Sequence, residues 1–290
     1  MNRIGIVHNY WGTDFTANPD LYCSRISRAA SIGFNLLTVQ MDAIFYAKDD
    51  KQRLLDTAEK EDVKLNYSGG MGPNMDICSE SAEDRERGIA HMQNAARLIA
   101  DMQEGAEFAG AITGVFRDEL KGRSREKCWE NSVNSMKEII KAAEDGGVIF
   151  SLEVLNRFEH FLINTCDEAL RYVEAVGSPN LKILLDTYHM NIEEDSIGEA
   201  IVKGGDKIGL FHVGENNRNV PGRGHIPWDE VVGALKQIDY QGDTVMEPVV
   251  LAGGATGGSM AIHRDLTGGK DLDDLAREGL EFYKGKLASV

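Results

Sequence analysis

The stretch LKILLDTYHMN, residues 181–191, decides the reading of the whole chain. From Ile183 to Leu185 it is apolar, too short for a helix and right for a strand buried on both faces. The run stops at a carboxylate, Asp186, with Thr187, Tyr188 and His189 directly behind it. Three other segments repeat the layout: residues 148–153 read VIFSLE, 208–212 read IGLFH and 244–247 read TVME. Each is an apolar run ending in a side chain that can bind a metal or move a proton. The four end residues, Glu153, Asp186, His212 and Glu247, follow one another at steps of 33, 26 and 35 residues. That is the length of one strand, one crossover helix and two loops.

Outward from this half, short apolar runs keep alternating with segments of helical period. Strands are predicted at 3–7, 36–40, 63–67 and 108–113, with helices at 19–30, 49–61, 81–102 and 124–144. Pro19 sits in a first turn and Gly33 lies past that helix's end. Ser81 with Asp84 has the spacing of an N-terminal cap, and Asp145-Gly146-Gly147 is a C-terminal stop. The second half adds helices at 166–176, 197–203, 228–238 and 271–286. Eight strand and helix pairs, with no composition shift or linker between them, predict an α/β fold: a single (β/α)8 TIM barrel, one domain over residues 1–290. A doubly wound open sheet would need a phosphate loop after the first strand, and His8-Asn9-Tyr10-Trp11-Gly12 is not one. In a barrel the C-terminal ends of strands five to eight meet at one face, so the four end residues are expected to converge there.

Composition narrows the function. With 42% hydrophobic and 27% charged residues, the 290-residue chain can bury a large core. Its 31 basic against 47 acidic side chains give a formal charge of −16, which opposes binding to phosphate backbones, so no nucleic-acid partner is expected. Cys23, Cys78, Cys128 and Cys166 are scattered without a C-x-x-C pair and read as reduced thiols. No apolar run approaches about 18 residues and the first residues lack a leader pattern, so a cytoplasmic protein without a membrane partner is expected. The Gly-rich turn at 68–73 lacks the spacing of a dinucleotide loop and reads either as a strand-end loop near a ligand or as a plain turn.

Three carboxylates brought within about 4 Å of one another repel by roughly 4 kcal/mol per pair at an effective dielectric near 20, so they take up protons or bind a cation. Three carboxylates and one imidazole suit Mn²⁺, Mg²⁺ or Co²⁺ better than structural zinc, which prefers thiolate. Such an ion can hold a carbonyl beside a neighbouring hydroxyl and acidify the carbon bearing that hydroxyl. This is chemistry for sugars and hydroxy-carbonyl compounds. Hydrolysis by metal-bound water normally recruits a richer set of histidines.

The runs EVLNRFEHFLINT (153–165), LLDTYHMNIEEDSIG (184–198), HVGENNRNVPGRGHIPW (212–228) and VMEPVV (245–250) closely resemble the D-tagatose 3-epimerase and D-psicose (D-allulose) 3-epimerase family. The resemblance is weak before Ala109 and strong from Gly147 to Pro248. It implies a barrel isomerase that inverts C3 of a free ketose by two-base deprotonation and reprotonation through an enediolate, with Mn²⁺ or a similar ion (Co²⁺, Mg²⁺). It further implies Glu153, Asp186, His212 and Glu247 as metal ligands, with Glu153 and Glu247 also catalytic. Glu159, His189 and Arg218 become contacts to the substrate's carbonyl end, and a homodimer or homotetramer is implied.

Taken singly, each contact has a plainer reading: Glu159 as a solvated loop acid, His189 as a pin for Asp186, Arg218 as a surface charge. Trp228 reads as core, and Arg264 with Asp265 are expected to pair and order the Gly-rich loop at 253–258. The chain departs from the family's usual pattern at Val7, where Tyr or Phe is usual, and at Phe116, where Trp is usual. Both changes bear on which sugar is preferred. His8 is expected on the opposite side from Val7 if the first strand is regular. A ketose–aldose isomerase, a metal-dependent DNA-repair endonuclease and a non-catalytic sugar-binding protein remain the alternatives. Of these, the endonuclease would need several zinc ions and a basic groove, which the net charge opposes.

Overall fold

A computed structural model describes residues 3–289. The ends of the predicted domain span, Met1, Asn2 and Val290, lie outside the described residues. Its strands are β1 (Ile4–Val7), β2 (Leu36–Gln40), β3 (Lys64–Ser68), β4 (Glu107–Gly110), β5 (Ile149–Glu153), β6 (Leu181–Asp186), β7 (Ile208–Val213) and β8 (Asp243–Met246). They close into a barrel in sequence order, β1 to β8, the topology predicted from the recurring strand ends. Helices α1 (Pro19–Ile32), α2 (Lys48–Lys60), α3 (Ala82–Met102), α4 (Arg125–Gly146) and α5 (Cys166–Val176) alternate with the strands of the first half. They are followed by α6 (Thr187–Glu193), α7 (Ile197–Gly204), α8 (Trp228–Gln237), α9 (Gly254–Ser259) and α10 (Leu272–Ala288). Among the described residues no helix is long and apolar enough to cross a membrane.

Two compact units can be distinguished in the chain, Met1–Asn66 with Phe211–Val290, and Tyr67–Leu210. In the first, β1 pairs in parallel with β2 (Gly5 opposite Leu36) and with β8 (Gly5 opposite Val245). A side-chain carbon on Gly5 would lie 2.8 Å from Leu36, so glycine permits this close approach. In the second, β4 pairs with β3 and β5, and β5 with β6, where Glu153 lies opposite Leu184. Phe108 and Phe150 are directly opposed there, with ring centroids 5.2 Å apart. All four residues of β1 and of β4 are buried, as strands covered on both faces are, and the one charged side chain among them, Glu107, is paired with the Ser151 hydroxyl.

The helix boundaries follow from local chemistry. Asn18 accepts the Leu21 amide ahead of Pro19, and Ser81, Ser124, Thr165 and Ser196 each accept the amide three residues on. Gly33, Gly147 and Gly177 end α1, α4 and α5 in the left-handed conformation, at φ of 108°, 65° and 80°.

The structure differs from the sequence reading in four places. The fourth strand stops at Gly110 rather than running to Thr113. Gly110 has φ 138°, and its α-carbon packs so tightly on the Gly69 carbonyl that no side chain would fit. A helix, α6, starts directly after β6 because Asp186 caps it, its Oδ1 accepting the Tyr188 amide at 2.9 Å. The Gly-rich segment after β8 contains the short helix α9, and Arg264 and Asp265 form no ion pair among the described residues. Asp265 instead accepts the Thr267 amide at 2.7 Å. Finally, β1 ends at Val7 and His8 opens a 3-10 turn, so strict strand alternation does not place its side chain. Its imidazole is fully buried, with Nδ1 2.8 Å from Arg25 Nη1. Burial first, and the Arg25 charge second, push its pKa down to about 3. The four cysteines are free thiols, three of them buried.

Candidate active site and metal centre

Each of the four predicted end residues sits within one residue of where its strand stops. Glu153 is the last residue of β5 and Asp186 the last of β6, His212 is the penultimate residue of β7, and Glu247 follows β8 directly. Asp186 and His212 are almost wholly buried. The amide of Glu247 donates to the Val213 carbonyl at 3.3 Å, which carries the strand pairing one residue past β8 and fixes where its side chain leaves the backbone. Each of the four offers one ligand atom, and these atoms all lie within 4.8 Å of one another. At that separation each carboxylate pair repels by about 3 to 4 kcal/mol at an effective dielectric near 20. A shared divalent cation reverses the sign of that interaction. The donors, three carboxylates and one imidazole, fit such an ion.

The three predicted sugar contacts are buried, which removes the plainer readings of Glu159 as a solvated loop acid and of Arg218 as a surface charge. His189 is 1% exposed. Its Nε2 lies 3.5 Å from Glu153 Oε1 and 3.9 Å from Asp186 Oδ2. Glu159 is 3% exposed, and its Oε1 accepts the Asn156 side-chain amide at 3.2 Å. Arg218 is 2% exposed, and its Nη1 lies 3.3 Å from Glu247 Oε2, an oxygen that is also 3.4 Å from His212 Nδ1.

Arg218 is held in an unfavourable backbone conformation, φ 64°, which costs a non-glycine residue on the order of 1 kcal/mol or more. Its own amide donates to the Glu215 carbonyl at 2.9 Å and its carbonyl accepts the Val249 amide at 2.8 Å, and these bonds offset the strain. Sequence reasoning missed the residue that organises this loop. Glu215 is fully buried and accepts three N–H groups: Gly222 at 2.7 Å, Trp228 Nε1 at 2.8 Å and Ile226 at 3.2 Å. Trp228 is therefore core, as predicted, and its indole is tied to that carboxylate. A side chain at Gly224 would collide with the same carboxylate, which accounts for the glycine in PGRG. The available signal was the single acid in the Gly- and Pro-containing loop at 214–227. Asn156, buried in the turn after β5, was also missed.

Val7 is buried at the end of β1, and Phe116 is half-buried with the Arg117 guanidinium 5.7 Å over its ring.

Residues 26–284 match the family described as xylose isomerase-like TIM barrel. A D-psicose 3-epimerase of Ruminiclostridium cellulolyticum is 38% identical over 285 residues, covering 97% of this chain and 96% of that protein. One from Enterocloster bolteae is 34% identical, covering 96% of this chain and 91% of that protein. A crystal structure of D-psicose 3-epimerase with D-tagatose from Clostridium cellulolyticum H10 superposes with a TM-score of 0.93 at 36% identity, over 98% of this chain and 99% of that one. The strand-end carboxylates and imidazole stand on a barrel of the same topology, and this chain belongs to the ketose 3-epimerase family, isomerases built on the xylose isomerase-like TIM barrel.

Proposed function

We propose that this chain inverts C3 of free ketoses as a metal-dependent 3-epimerase, with Glu153 and Glu247 as its two acid–base groups. One observation carries the reading: three carboxylates and one imidazole from four consecutive strand ends offer ligand atoms within 4.8 Å of one another. Mn²⁺ is the proposed ion, with Co²⁺ or Mg²⁺ as substitutes, and when bound it would polarise the carbonyl and acidify the proton on the neighbouring carbon. Inversion then needs a base on one face of C3 and an acid on the other. Glu153 ends β5 and Glu247 follows β8, which supports giving each glutamate its own face. His189 and Arg218, buried beside these carboxylates, and Glu159, linked to His189 through Asn156, are proposed to hold the oxygens at the carbonyl end. A homodimer or homotetramer acting in the cytoplasm on small free sugars completes the proposal, on the strength of the family resemblance.

Specificity follows from the rim. With Val7 and Phe116 offering less aromatic surface to the far end of the sugar, contacts at C1 to C3 dominate, and a broad range of ketoses is expected to react. The test incubates the enzyme and Mn²⁺ with a panel of ketoses and identifies products by sugar chromatography. C3 epimers from several ketoses are expected. Aldose products would reassign the chain as a ketose–aldose isomerase. A single-sugar profile that Val7→Tyr leaves unchanged would refute the account of the rim.

A further inference from the structure

Between β5 and the loop carrying Glu159, one buried amide side chain reaches two of the proposed sugar contacts. Asn156 is 1% exposed. Its carboxamide orientation is fixed by its neighbours: Oδ1 accepts the Phe158 amide at 2.9 Å, so Nδ2 is the end facing Glu159 and His189. The two Nδ2 hydrogens have two acceptors, Glu159 Oε1 at 3.2 Å and His189 Nδ1 at 2.8 Å. The backbone amide of Asn156 also donates to His189 Nδ1, at 3.1 Å. A main-chain N–H has no other role available, so Nδ1 must be the acceptor. In the neutral ring the proton then sits on Nε2, the nitrogen that faces Glu153 and Asp186.

We propose that Asn156 is a positioning residue: it locks His189 in the tautomer protonated on Nε2 and holds Glu159 in line, so that both meet the sugar's carbonyl end ready-formed. This rests on the proposed function only for the identity of what they meet. The tautomer is a property of the protein alone. The residue acts through its neighbours and has no contact of its own with the reacting carbon. Its carbonyl accepts the amides of Glu159 and His160, at 2.9 and 3.0 Å, so the turn that presents Glu159 is wound around the same residue.

Asn156→Asp tests this with nearly the same shape. A carboxylate cannot donate to His189 Nδ1 or to Glu159, and as a charged acceptor it outcompetes the main-chain amide for Nδ1 and draws a proton onto it. The spectroscopic measurement uses the full-length protein labelled with ¹⁵N-histidine and saturated with Mg²⁺, which is diamagnetic. The His189 signals are assigned by their loss in His189→Gln. The wild type is expected to show the proton on Nε2, and Asn156→Asp to move it to Nδ1. In steady-state assays on the best ketose, Asn156→Asp is expected to lower kcat on the order of 100-fold while KM moves by about 5-fold or less. Asn156→Ser retains a hydroxyl donor and the main-chain amide. It is expected to keep the wild-type tautomer and lose less than about 10-fold in kcat. A wild-type His189 protonated on Nδ1 overturns the proposal whatever the variants do. So does a folded Asn156→Asp enzyme with unchanged tautomer and unchanged kcat. A wild type with the predicted tautomer but no C3 epimerisation of any ketose would refute the proposed function instead, and leave the positioning role standing.

Discussion

Glu153→Gln and Glu247→Gln are each expected to stop epimerisation in both directions, with kcat falling on the order of 10³-fold or more. Each change removes a group proposed both to move a proton and to bind the ion, so the two losses compound. Neither glutamate can replace the other, because one carboxylate cannot reach both faces of a carbon held in a fixed pose. Glu247 carries a further consequence. Its Oε2 lies 3.3 Å from Arg218 Nη1, so the amide substitution also weakens the charge that holds a strained, almost fully buried guanidinium. Glu247→Gln is therefore expected to destabilise the fold more than Glu153→Gln, measured as the difference in Tm between the two variants. Initial rates from each C3 epimer, followed by chromatography, check the catalytic part. A variant keeping more than a tenth of wild-type kcat in either direction would remove that glutamate from the acid–base pair.

Stripping the ion is expected to abolish activity and lower Tm together. A ligand bound only by the folded state at about 100 times its Kd stabilises it by roughly 2.7 kcal/mol, which corresponds to about 4 °C for a chain of this size. Removal also restores the mutual repulsion of three carboxylates whose ligand atoms lie within 4.8 Å. Chelator treatment followed by calorimetry should show the fall, and adding back Mn²⁺ should reverse both effects. Full activity in protein shown metal-free by elemental analysis would end the metal-dependent reading.

The barrel was legible because its strands are buried on both faces and so appear as short apolar runs. Each of the last four runs also stops at or beside a chemically costly side chain. Nothing but convergence explains a carboxylate placed repeatedly at the end of a buried strand, and the four residues do lie together. What the sequence concealed was the support around them. Glu215 is as buried as any core residue, yet in the sequence it is an acid in a polar loop. Its importance depends on three N–H groups, two amides and one indole, that come from seven to thirteen residues further on. Asn156 is similar, since its partner His189 is 33 residues away. The end of β4 was missed for a different reason: backbone contact with Gly69 at Gly110 overrides the apolar pattern that continues through Ile112. Helix α6 was hidden because Asp186 was read only as a strand-end ligand, whereas its side chain also caps the helix that follows.

The most direct test of the two-base account is hydrogen exchange at C3. Wild-type enzyme with its ion, run to equilibrium in D₂O on a single ketose, should place deuterium at C3 of both epimers, read by NMR and mass spectrometry, because each proton removed is replaced from a carboxyl group that exchanges with solvent. Complete epimerisation with no deuterium at C3 would contradict the account and require hydride movement or carbon–carbon cleavage in its place.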